Sequence, residues 1–129
     1  MLADDHQAML EHLTQLLTPE FEVVGAVRDG RAALEAVAGL QPDLLVLDIS
    51  MPALSGLEAA RELQRQGTGP KIVFLTVHEE PEFIRESFAT GASAYVIKPR
   101  LATDLAMAIR EVLAGRSFVS PTLSRDNHG

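Results

Sequence analysis

Asp4-Asp5, Asp48, Thr76 and Lys98 each follow directly on an apolar run, and together they suit one chemistry. The runs are Met1-Leu2-Ala3, Leu44-Leu45-Val46-Leu47, Ile72-Val73-Phe74-Leu75 and Ala94-Tyr95-Val96-Ile97. If they are parallel strands of one sheet, all five polar residues converge on its carboxyl edge, where open α/β sheets bind their ligands. Three carboxylates suit magnesium, which takes oxygen ligands in an octahedron and retains several waters. Without a cation they would repel one another and raise one another's pKa. A carboxylate can also attack phosphorus and form an acyl phosphate. An ammonium would neutralise the phosphoryl oxygens, and a hydroxyl would donate a hydrogen bond to them. Singly, each residue has a plainer reading: a strand-end Asp is often a helix N-cap, and a lone strand-end Lys is usually solvated. Their joint placement argues for a magnesium site beside a phosphoryl acceptor.

The segments between the runs must turn the chain round and cover the sheet. Met9, Leu10, Leu13, Leu16 and Leu17 recur at helical spacing. Phe21 to Val27 reads as a second strand, and Ala33, Leu34, Val37 and Ala38 as the stripe of a helix that Gln41-Pro42-Asp43 breaks. Ser55 with Glu58 has the form of a capping box, ahead of Leu57, Ala60 and Leu63. That helix ends at Gly67-Thr68-Gly69-Pro70. Pro81 suits the first turn of a helix through Phe83, Ile84 and Phe88 that stops near Gly91. Leu101, Leu105, Ile109, Val112 and Leu113 form the last stripe, closed by Gly115. Strands that are apolar at nearly every position, alternating with helices, imply a parallel sheet covered on both faces. With right-handed crossovers this predicts an α/β fold, a (βα)5 doubly wound sheet over residues 1–115. Residues 116–129 show no periodicity and read as a tail or linker stump.

With 129 residues the chain is predicted to form one domain. It has no stretch as long and apolar as a membrane helix, and no basic start followed by an apolar run, so no membrane partner is expected. Absence of cysteine excludes disulfides, thiolate metal sites and cysteine nucleophiles and fits a reducing, cytoplasmic setting. A net charge of −7 opposes nucleic acid, so this chain is not expected to bind DNA directly.

The chain resembles the receiver domain of two-component response regulators over residues 1 to about 115. The segments that carry the resemblance are Leu2-Ala3-Asp4-Asp5-His6, Pro42 to Pro52 around Asp48, Ser55-Gly56, Phe74-Leu75-Thr76 and Gly91 to Pro99 around Lys98. Ala3-Asp4-Asp5-His6 and Gly115-Arg116-Ser117-Phe118-Val119-Ser120-Pro121 are similar to the NarL/FixJ subgroup. The resemblance implies a flavodoxin-like sheet in the order 2-1-3-4-5. It makes Asp48 the acceptor of a phosphoryl group from a sensor histidine kinase. Asp5, Asp48 and the Ser50 main-chain carbonyl would hold Mg2+, Asp4 would reach the ion through water, and Lys98 would bind the phosphoryl oxygens. The Lys98-Pro99 bond would be cis. Thr76 and Tyr95 would be the switch pair that repacks the face made by the fourth helix, fifth strand and fifth helix. The output would be control of transcription through a DNA-binding domain outside this chain, with homodimerisation on phosphorylation. Such a domain is a phosphoacceptor and not an enzyme in the usual sense, catalysing only its own phosphoryl transfer and slow dephosphorylation.

Two rivals weaken on single residues. A haloacid-dehalogenase-like phosphatase needs a second Asp two places after its nucleophile, and position 50 is Ser. A flavodoxin-type nucleotide binder needs a phosphate loop after the first strand, where Asp4-Asp5-His6 would repel phosphate. His78 reads as a solvent-facing loop residue, and His6 and His12 as exposed or structural. The first strand has at most three residues before the acidic pair, which suggests either residues missing at the start or weakened pairing there.

Overall fold

A computed structural model describes residues 1–67 and 69–121. Strands β1 (Leu2–Ala3), β2 (Ala26–Val27), β3 (Leu44–Leu47), β4 (Lys71–Thr76), β5 (Ala94–Ile97) and β6 (Phe118–Val119) form one sheet in the order β2-β1-β3-β4-β5-β6. Every pairing is parallel. Helices α1 (Gln7–Leu17), α2 (Gly30–Leu40), α3 (Gly56–Gln66), α4 (Pro81–Ala89) and α5 (Leu101–Leu113) connect the strands. The predicted doubly wound α/β sheet and its 2-1-3-4-5 order are therefore observed, with a sixth strand added at the β5 edge.

Successive strand residues point to opposite faces, and here they feed two cores. Leu45, Leu47, Phe74, Tyr95 and Ile97 join the α2 and α3 stripes, with Phe83, Ile84 and Phe88 of α4 packed against them. Leu44, Val46, Val73, Leu75, Ala94 and Val96 join Leu10, Leu13 and Leu17 of α1 and Leu105, Ile109 and Val112 of α5. Burial on both faces explains why the central strands lack polar alternation. The caps are local: Ser55 and Glu58 complete the reciprocal capping box at α3, and Gln41 ends α2 at a φ of 48°.

The elements depart from the sequence reading at three places. The second strand is two residues long rather than Phe21 to Val27, because β1 offers only Leu2 and Ala3 to pair with. Phe21 and Val23 pack against the α1–α5 core instead. Phe118–Val119, read as part of a tail, pairs with Ala94 and Tyr95. Two half-buried residues are too few for any periodicity to register. Residues 122–129 of the expected tail lie outside the described residues. Finally, the chain contains no cis peptide among the described residues, so Lys98-Pro99 is trans. The trans bond leads directly into a single 3-10 turn, Lys98–Arg100, whose start accommodates the fixed φ of proline.

Candidate functional site

The parallel strands end together, and their C-terminal residues meet. Asp4 follows β1 and is 1% exposed; Asp48 follows β3 and is 5% exposed. Lys98, first after β5, places its Nζ 2.9 Å from Asp4 Oδ2 and 3.1 Å from Asp48 Oδ2. One ammonium thus bridges two buried carboxylates from different strands. The Asp4 Oδ1 accepts from the His6 backbone N–H at 2.9 Å, and the Asp48 Oδ1 from the Ser50 N–H at 3.3 Å. Each carboxylate is therefore aimed by the loop that follows it.

The charge balance leaves this pocket short of positive charge. Burial, the largest cause, pushes the Asp48 pKa upward; repulsion from Asp4 adds to this, and Lys98 and the Ser50 N–H only partly offset it. Burial would lower the Lys98 pKa, but Asp4 and Asp48 overcome it and hold the ammonium above its ordinary value. Both groups cling to protons, as expected where another cation would be welcome. Asp5 reinforces the point. Its Oδ1 is shielded from solvent without a hydrogen bond and has His6 Nδ1 at 3.0 Å, while its backbone oxygen accepts from Arg28. Carboxylate oxygens of Asp4 and Asp5 and a His6 ring nitrogen lie within 4.8 Å of one another. Asp5 and Ser50 also line one open cleft, together with Ile49 of the loop that follows Asp48. Hard oxygen donors with a charge deficit fit magnesium. His6, read as exposed or structural, is exposed and contributes a ring nitrogen to this cluster.

Thr76 and Tyr95 are both fully buried and meet through the peptide groups of His78. The His78 N–H donates to Thr76 Oγ1 at 3.3 Å, and the Tyr95 hydroxyl donates to the His78 carbonyl at 2.7 Å. Burial, then the charges of Glu80 and Glu79, pushes the Tyr95 pKa up, so the phenol stays a donor. Contrary to its reading as a solvent-facing residue, the His78 side chain is mostly covered. Its Nε2 lies 3.0 Å from Ser50 Oγ, and its ring stacks on Phe83 of α4 at 4.2 Å between centroids. The imidazole thus links the loop after Asp48 to α4. No local spacing in the sequence marks that role.

The backbone around Asp48 is held by close approach. Gly56 donates its N–H to Ile49 O at 2.7 Å, and a Cβ on Gly56 would lie 1.9 Å from the Asp48 carbonyl oxygen. Gly30 packs as closely against the same loop, where a Cβ would come within 2.1 Å of Leu54 O.

Comparison with known proteins points the same way as this geometry. Residues 1–110 match the family model of the response regulator receiver domain. The transcriptional regulatory protein DesR of Bacillus subtilis is 39% identical over 127 residues, covering 97% of this chain and 63% of DesR. DegU of Brevibacillus brevis is 34% identical over 128 residues, covering 98% of this chain and 54% of DegU. The chain therefore spans little more than half the length of these relatives. A LuxR-family two-component response regulator from Aurantimonas superposes with a TM-score of 0.89 at 33% identity, covering 97% of this chain and 91% of that one. The receiver domain of NarL from Mycobacterium tuberculosis gives 0.84 at 27% identity, with 89% and 94% covered. Among the described residues no helix is long and apolar enough to cross a membrane. With the acidic pair, the strand-end Asp and the Lys on one parallel sheet, the chain belongs to the response regulator receiver domains, of the kind found in NarL- and LuxR-type regulators.

Proposed function

We propose that Asp48 accepts a phosphoryl group from the phosphohistidine of a sensor kinase. An Asp48 carboxylate oxygen forms the new bond to phosphorus, the P–N bond breaks, and the imidazole leaves. The observation that carries this is the placement of the Asp48 carboxylate 3.1 Å from a retained ammonium, in a buried pocket short of positive charge. Lys98 then neutralises the transferred oxygens, and Thr76 donates its hydroxyl to one of them. Mg2+, held by Asp5, Asp48 and the Ser50 main-chain carbonyl, would offset the charge of the carboxylates and the phosphoryl group. Asp4 would reach it through water, in keeping with its oxygens being engaged by Lys98 and the His6 N–H.

The signal leaves through Thr76 and Tyr95. Drawing the Thr76 hydroxyl toward a phosphoryl oxygen would disturb its bond with the His78 N–H. The Tyr95 hydroxyl holds the carbonyl of the same residue, so α4, β5 and α5 sense the change. The output is a transcription response through a DNA-binding domain outside this chain, with phosphorylation favouring a homodimer. The setting is the cytoplasm, and this chain itself does not bind DNA.

Intact mass after incubation with acetyl phosphate and magnesium tests the acceptor. One phosphoryl group, labile in base, should be added to the parent and none to Asp48→Ala. Stoichiometric labelling of that variant would defeat the assignment. Magnesium titrations separate the carboxylates: Asp5→Ala should lose more affinity than Asp4→Ala, and the reverse order would mean that the ligand set is wrong.

A further inference from the structure

Beneath Lys98 sits a second polar cluster that the acceptor chemistry does not use. Ser120, just past β6, is fully buried, and its Oγ donates to Asp104 Oδ2 at 2.7 Å. The same oxygen accepts from the Ile97 N–H at 3.3 Å. Ile97 closes β5 immediately before Lys98. Asp104, in the first turn of α5 and 4% exposed, also takes Arg100 Nε at 2.8 Å, Arg100 Nη2 at 3.3 Å and Thr103 Oγ1 at 3.1 Å. Burial works against this carboxylate. The hydrogen bonds from Arg100, Ser120 and Thr103, with the Arg100 charge, outweigh it and keep the pKa below the usual range. A charged acceptor fixes where the Ser120 proton points, which leaves a lone pair for Ile97. The 3-10 turn carrying Lys98 is thus held at its start by Ser120 and at its end by the Arg100–Asp104 pair.

We propose that Ser120 and Asp104 are positioning residues for Lys98, fixing the strand end and turn from which the ammonium reaches Asp48 and Asp4. The inference rests on the role assigned to Lys98 above. It explains why a two-residue strand ends in a buried serine: through one hydroxyl, β6 is joined to the phosphoryl pocket. Ser120 N–H, bonded to Tyr95 O at 2.9 Å, sets the register that delivers this hydroxyl.

The test is binding of beryllofluoride, a phosphoryl mimic, at saturating magnesium. Ser120→Ala should weaken it roughly tenfold, less than the hundredfold that a misplacement of about 1 Å can cause. Its magnesium affinity should fall less than its beryllofluoride affinity, because Ser120 bonds to Asp104, Ile97 and Tyr95 and to none of the groups assigned to magnesium. Asp104→Ala should behave like Ser120→Ala, whereas Asp104→Asn, which keeps an oxygen for the Ser120 proton, should recover most of the affinity. Val112→Ala, buried further along α5, controls for stability loss alone and should bind beryllofluoride as the parent does. Parent-like binding by Ser120→Ala, or equal weakening in Val112→Ala, would overturn the inference and leave the acceptor assignment intact. Failure of the parent to bind beryllofluoride would overturn the acceptor reading itself.

Discussion

Lys98→Met should cost about 3 kcal/mol of stability at neutral pH without magnesium, the low end for breaking a buried pair. Methionine keeps most of the apolar stem and removes the ammonium, its charge and its hydrogen-bond donors together. Asp4 and Asp48, at 1% and 5% exposure, then face each other with no ammonium between them. The pH dependence has a definite sign. The folded-state pKa of Lys98 is raised, so its stabilising effect is fully present below the ordinary lysine value and is lost only as pH rises through the raised one. The folded-state pKa of Asp48 is also raised, so the native state prefers that group protonated. Without Lys98 the preference grows. The deficit of Lys98→Met should therefore shrink as pH falls toward the ordinary carboxylate range. Urea unfolding at pH 7.5 and pH 5, with and without magnesium, reads this out. Magnesium should recover part of the loss, and Asp48→Asn should gain stability in metal-free buffer. Labelling by acetyl phosphate should fall at least about a hundredfold in Lys98→Met, the loss seen when one preorganised charge-stabilising donor is removed. A pH-independent deficit, or one that magnesium leaves untouched, would show that the lysine is merely solvated.

What the sequence disclosed and what it withheld divide along physical lines. Asp4, Asp5, Asp48, Thr76 and Lys98 were legible because each ends an apolar run, and strand ends in a parallel sheet share one edge by topology alone. The Ser55–Glu58 box and the stop at Gln41 were legible because caps are set by neighbours within a few residues. His78 was not, since its partners Ser50 and Phe83 come from other elements and no fixed spacing marks such a contact. Ser120 was hidden for the same reason: its hydroxyl partners lie 16 and 23 residues away. The overlong second strand failed for a different cause. Its residues suit a strand, but strand length is a property of the pair, and β1 is short.

Gly56→Ala is the substitution expected to do the most damage for the fewest atoms. The added Cβ would lie 1.9 Å from the Asp48 carbonyl oxygen and 2.9 Å from Ile49 Cα, both main-chain atoms that no rotamer can move aside. Relief requires shifting either the first turn of α3 or the loop after β3. The first option breaks the Gly56 N–H bond to Ile49 O and strains the Ser55 capping box; the second moves Asp48 itself. The loss should be at least about 3 kcal/mol, at the upper end for overpacked sites. Gly39 supplies the opposite case within the same protein. It lies inside α2, and its Cβ would have nothing within 4 Å. Gly39→Ala should stabilise by about 0.5–1 kcal/mol through helix propensity and a less entropic unfolded chain. Denaturant midpoints of the two variants should move in opposite directions. In whatever fraction of Gly56→Ala folds, magnesium affinity should fall as well, because the displaced atoms belong to Asp48. If that fraction bound magnesium like the parent, the strain would have been absorbed by α3, and the rigid link between Gly56 and Asp48 would not exist.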